Sequence, residues 1–148
     1  MWYPHVTNVI NYVAEPVESV VFIINNITRK SSVDVIEGVP VSLNCTSAGG
    51  YPPPQLTVRL GNSDITNRFE TTAKQTLLPG NGRGLRRIKY EIHLWTLGYV
   101  PRAAADRRVL YCSAQVSGLD VVTQRVQLNV CCKSIICFCI GARSCNLL

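Results

Sequence analysis

The chain has 148 residues, 47% of them hydrophobic, and carries 15 Lys and Arg against 9 Asp and Glu for a net charge of +6. That length suits one domain of ordinary size with tails, and no apolar run reaches the roughly 18 residues that a bilayer-crossing helix needs, which excludes a membrane span in this chain. The N-terminal MWYPHVTNVINYVAEP lacks a charged start followed by an apolar block, so it does not read as a secretory signal peptide.

In chain order the signals are those of strands and turns, with no long helix. VESVVFII (residues 17–24) is a β-branched run, and SVDVI (32–36) alternates before an interruption at Gly38, Val39 and Pro40. VSLNCT follows, with Val41, Leu43 and Cys45 on one face and Ser42, Asn44 and Thr46 on the other, the period of a strand with one buried side. After Gly49, Gly50 and three consecutive prolines, QLTVRL places Leu56, Val58 and Leu60 inward and Gln55, Thr57 and Arg59 outward. Gly61 to Asp64 turns the chain, and PGNGRG (79–84) is a loop tip.

RRIKYEIHLW then points Ile88, Tyr90, Ile92 and Leu94 inward. VLYCSAQV puts Leu110, Cys112, Ala114 and Val116 on one face and Val109, Tyr111, Ser113 and Gln115 on the other. VTQRVQLNV sets Val122, Gln124, Val126, Leu128 and Val130 against Thr123, Arg125, Gln127 and Asn129. About seven short strands separated by turns read as an all-β antiparallel sandwich or barrel.

A cysteine on the inner face of a strand is either a small hydrophobe or half of a disulfide. Cys45 and Cys112 both occupy inner faces, and the other five cysteines all follow residue 130, which leaves Cys112 as the natural partner of Cys45. Such a bond implies an oxidising compartment. With no signal peptide in view, the chain is expected to be a piece of a longer secreted or membrane-anchored protein. Asn44-Cys45-Thr46 and Asn26-Ile27-Thr28 fit the N-glycosylation pattern and favour the same route.

These residues resemble the immunoglobulin superfamily. Gly38 to Cys45 looks like strand B, Gly50 to Val58 like the bend into strand C of I-set and C2-set domains, and Asp106 to Ala114 like strand F. The resemblance covers roughly residues 17–130 and implies an Ig-like sandwich in which Cys45 and Cys112 form the inter-sheet bridge and the prolines carry the chain between sheets. Two departures stand out: Val58 replaces the tryptophan usual on strand C, and Leu110 replaces the tyrosine usual two residues before the second cysteine. Both imply a looser domain that depends more on its bridge.

The division expected is a linker or the end of a preceding domain at 1–16, an Ig-like domain at 17–130 and a Cys-rich tail at 131–148. That tail holds five cysteines. It lacks the histidines and regular spacing of a zinc site, its final Cys145-Asn-Leu-Leu prenylation form is a cytosolic signal, and SIICFCI is too short to span a membrane. An alternative or misread terminus is the reading that remains.

His5 and His93 lack a nucleophile arrangement, the acidic residues form no paired-carboxylate pattern, and the glycines of 80–84 lead into no helix, so neither catalysis nor a metal or other cofactor is expected. Arg83, Arg86, Arg87, Lys89, Arg102, Arg107 and Arg108 concentrate seven of the fifteen basic residues. Outside cells this would fit heparan sulfate or an acidic protein face, and nucleic acid is not expected as a partner. A glycan on Asn44 would cover one sheet and leave the other free for a protein ligand such as another Ig domain, with Arg59, Tyr111, Gln115 and Arg125 as contacts. The functional expectation is extracellular protein recognition in adhesion or immunity. A glycosaminoglycan-binding or soluble decoy form and a non-binding spacer are the alternatives.

Overall fold

The computed structural model describes residues 13–28, 31–78 and 87–132, with Arg87 described in its backbone only. Among the described residues nine strands form two layers. The first sheet has the order β1-β3-β7-β6, from β1 (Glu15–Ile24), β3 (Val41–Tyr51), β7 (Arg87–Tyr99) and β6 (Glu70–Leu78). The second has the order β2-β9-β8-β4-β5, from β2 (Ser32–Ile36), β9 (Val122–Cys131), β8 (Val109–Gln115), β4 (Gln55–Leu60) and β5 (Ser63–Asp64). The PGNGRG loop and the tail from residue 133 onward lie outside the described residues.

The alternation expected along β3, β4, β7, β8 and β9 is realised. Val41, Leu43 and Cys45 meet Val58, Leu110, Cys112, Ala114, Val126 and Leu128 in the space between the sheets, all buried. Cys45 and Cys112 are bonded across it, with Cα atoms 6.0 Å apart. Val58 is the cross-strand partner of Cys112 and is fully buried. An aliphatic side chain thus packs on the bridge where the family usually supplies a tryptophan.

The corner before β8, which lacks its tyrosine, is held by other groups. Asp106 Oδ1 accepts the Val130 N–H at 2.8 Å, and Arg107 N–H donates to the Leu128 carbonyl at 2.8 Å. Leu110 fills the core beneath them.

Two features differ from the expected seven antiparallel strands. β2 pairs with β9 in parallel, because the chain crosses from the first sheet to the second between β1 and β2 and arrives at the far edge running with β9. β6 was not foreseen, nor was the short β5 that follows the turn at Gly61. Every residue of β6 from Glu70 to Leu77 is exposed, so the edge strand carries no period-2 signal and is held by its backbone pairing with β7.

The Gly-Gly before the prolines has a geometric reason. Gly49 and Gly50 have φ of 80° and 93°, in the region that side chains with a Cβ rarely adopt. A Cβ on Gly49 would sit 2.6 Å from Glu18 Cγ, and Glu18 is itself held by Lys89 Nζ at 2.7 Å. Past them the Tyr51–Pro52 peptide is cis, Pro54 is buried, and Gln55 begins the second sheet.

Candidate functional site

The outer face of β4, β8 and β9 gathers the side chains expected to contact a partner. Tyr111 lies at the centre of β8, directly across from Arg59 on β4 and Arg125 on β9. The Arg59 guanidinium stands 5.2 Å from the Tyr111 ring centroid, a cation–π contact that fixes a long side chain over an aromatic one. Arg125 is exposed on the neighbouring strand β9, as the register partner of Tyr111. Along the same face Ser113 and Thr123 share a hydrogen bond at 2.9 Å, and Gln115 Nε2 donates to the Leu119 carbonyl at 3.0 Å.

Gln55, Thr57, Arg59, Ser113, Gln115 and Val121 line a depression of about 210 Å³ on this face. Three of the four predicted contacts, Arg59, Tyr111 and Arg125, therefore form one group, and Gln115 stands farther along β8 at the depression.

A carboxylate that sequence reasoning missed belongs to the group. Asp64 on β5 is the register partner of Arg59, and its carboxyl is held below the usual range by hydrogen bonding from Thr66, with the Arg59 charge adding to the effect. The Thr66 N–H reaches Asp64 Oδ1 at 2.8 Å, while the Thr66 hydroxyl accepts the Val58 N–H at 2.9 Å. Asp-Ile-Thr after a turn was the available signal, since an aspartate that bonds the backbone two residues on is a common loop device.

Among the described residues, the basic side chains expected to form a patch lie in two separate places. Arg83 and Arg86 lie outside the described residues, as does the side chain of Arg87. Lys89 is near the start of β7 and paired with Glu18. Arg107 and Arg108 are exposed beyond the other end of that strand, past the 3-10 turn at Ala103–Ala105. At about 3.3 Å per residue, the run of β7 from Lys89 to Tyr99 alone separates them by roughly 30 Å. At that far end Arg68 and Arg102, with Thr96, Gly98, Tyr99 and Val100, line a second depression of about 450 Å³. Burial pushes the Tyr99 phenol up, against the opposing charge of Arg68.

The two sequon asparagines occupy different settings. Asn44 is half-buried in the middle of the first sheet, and its Oδ1 accepts the Thr46 hydroxyl at 3.1 Å. Asn26 is exposed in the turn after β1 with φ of 62°. His93 meets Thr46 Oγ1 at 2.9 Å and Glu91 Oε1 at 2.8 Å on the outer surface of β7. Among the described residues no group of three or more His, Cys, Asp or Glu is placed to hold a metal, and no helix is long and apolar enough to cross a membrane. Cys131 and Cys132 are also disulfide-bonded.

No curated protein sequence matches the chain. Among solved structures, the two-domain crystal structure of Rst D1-D2 superposes with a TM-score of 0.51 at 20% identity, over 78% of this chain and 49% of that one. The full Ig1–Ig3 ectodomain of mouse nectin-like molecule 4 gives 0.54 at 16% identity, over 82% of this chain and 36% of that one. The chain thus spans about half the length of the first and about a third of the second. The profile of the CD80-like C2-set immunoglobulin domain matches residues 25–122, from the turn after β1 to the start of β9. The chain belongs to the CD80-like C2-set immunoglobulin domain family.

Proposed function

We propose that this chain is an extracellular, non-enzymatic recognition domain that binds a protein partner through the outer face of β4, β8 and β9. The observation that carries the reading is the Arg59 guanidinium over the Tyr111 ring, with Arg125 as the register partner of Tyr111 on the next strand. A tyrosine and two arginines present large contact area with polar ends, the composition that dominates binding energy at protein interfaces. Their net positive charge, moderated by Asp64, suits a partner surface with acidic residues, which another Ig-type domain can supply. The bridge between Cys45 and Cys112 supports an oxidising compartment. The same reading takes residues 17–130 as the domain, 1–16 as the approach from a preceding one, 131–148 as an atypical terminus, and Asn44 and Asn26 as glycosylated.

The test is a screen of the chain, displayed in multivalent form, against an array of Ig-domain ectodomains, followed by Tyr111→Ala and Arg125→Ala variants on any hit. Loss of binding with an unchanged thermal melt supports the face. Full binding by both variants overturns it.

Heparan sulfate is the second reading, favoured by Arg102, Arg107 and Arg108 flanking one 3-10 turn beside the Arg68 depression. Retention on heparin above physiological salt, reduced by Arg107→Ala with Arg108→Ala, would support it. Flow-through at low salt would end it.

A further inference from the structure

The outer face of the first sheet carries an apolar strip around a potential modification site. Asn44 on β3 has Ile23 directly across on β1 and Trp95 directly across on β7, all three half-buried. Directly opposed side chains on one face have Cβ atoms about 5 Å apart. The adjacent row is Val21, Thr46 and His93, with Val21 exposed, and Leu97 farther along β7 is 73% exposed.

The asparagine at the centre is oriented by its neighbours. The Thr46 hydroxyl donates to Asn44 Oδ1 at 3.1 Å and is itself held by His93 Nδ1 at 2.9 Å, with Glu91 beyond. Asn44 Nδ2, the atom that bears the sugar in an N-glycan, makes no hydrogen bond among the described residues.

We propose that the innermost N-acetylglucosamine attached to Asn44 lies against the Trp95 indole and the Ile23 side chain, so that the glycan is the standing cover of this strip and stabilises the sheet beneath it. The inference rests on reading Asn44 as glycosylated. One face of a pyranose ring presents C–H groups with a positive edge, and an indole presents a broad negative face, so the two attract while both leave water. The sugar is tethered by a short side chain to the residue facing Trp95, and its stacking therefore costs little added ordering entropy. Asn26 serves as an internal control, being an exposed turn residue outside this three-residue row.

The experiment uses the full chain secreted from eukaryotic cells behind a supplied signal peptide, with site occupancy read by glycopeptide mass spectrometry. The chain has two tryptophans, Trp2 and Trp95, so a Trp2→Phe background reports on Trp95 alone. Trimming to a single N-acetylglucosamine should preserve the melting temperature. Complete removal, or Asn44→Gln, should lower it by about 3 °C and raise acrylamide quenching of Trp95, while Thr28→Ala, which removes the Asn26 sequon and leaves the left-handed Asn26 in place, changes neither. In Trp95→Ala the melting temperature should no longer depend on the glycan, and if that variant fails to fold, the quenching of Trp95 in the parent chain decides alone. Occupied Asn44 with melt and quenching indifferent to the sugar overturns the stacking and leaves the glycosylation reading intact. Unoccupied Asn44 overturns both, and self-association through Trp95 in that case would make a second copy the cover.

Discussion

The backbone N–H of Phe22 donates to the side-chain carbonyl of Gln124 at 2.7 Å, tying an edge strand of one sheet to a strand of the other. β1 is the edge of the first sheet, and β2 joins β9 only from Gln127 onward, so Gln124 lies on a stretch of β9 that has no β2 partner. The bond caps a donor that would otherwise face the opening between the layers.

Gln124→Ala should therefore leave the Phe22 N–H unsatisfied beside a buried ring. An unpaired part-buried donor costs about 1 to 2 kcal/mol, and loss of the linking side chain should also speed hydrogen exchange in β1. Denaturant unfolding and exchange at Phe22 check this. Unchanged stability and protection would show that β1 is held by its pairing with β3 alone.

Ser47 gives a prediction of opposite sign. Its side chain is fully buried, and its hydroxyl has no hydrogen-bond partner among the described residues. An unpaired buried hydroxyl is a desolvation cost, so Ser47→Ala should stabilise the domain by about 1 kcal/mol, seen as a melting temperature several degrees higher. A lower melting temperature would mean that the hydroxyl has a partner, an ordered water for example.

Ser47 and Gln124 also mark how far the sequence could be read. The alternation of Val41, Leu43 and Cys45, and of Leu110, Cys112 and Ala114, announced the facing strands and the bridge because inner positions of a sandwich must be apolar at period 2. Gln124 fell on the inner row without a visible reason, since its partner is a backbone N–H on a strand 102 residues away. β6 was silent because an exposed edge is selected for polarity, and ETTAKQTLL has no face to declare. Of the candidate site, the trio Arg59, Tyr111 and Arg125 was legible from outward parity together with the strand assignment that the immunoglobulin resemblance implies. Asp64 was not, because its effect depends on the register of a two-residue strand. Of the expected basic patch, the described members Lys89 and Arg107 stand apart because Lys89 lies near the start of β7 and Arg107 beyond its end.

The bridge itself should dominate stability. It closes a separation of 67 residues, for which loop-closure entropy alone assigns about 4 kcal/mol. Val58 and Leu110 fill their places with less apolar surface than the aromatic residues they replace, and the hydrogen bonds that hold the corner before β8 do not restore that burial. Cys45→Ser should be largely unfolded at 37 °C, and reductant should depress the parent's melt to match. A melt indifferent to reduction would refute this.

Asp64 links acidity to the candidate face. Its folded carboxyl sits below the ordinary value of 3.8 because Thr66 and then Arg59 favour the charged form. A depressed carboxylate contributes stability that is present above the unfolded value and is lost as pH falls through the folded one. The side chain is fully exposed, so the effect on the melt should be small and weakened by salt. Asp64→Asn should melt slightly below the parent at neutral pH and converge with it in strong acid. Because Asp64 is also the register partner of Arg59, the same substitution should make the Arg59–Tyr111–Arg125 face more positive and strengthen its binding to an acidic partner at low ionic strength. A parent and variant that differ equally at every pH would show that the Asp64 hydrogen bonds matter and its charge does not.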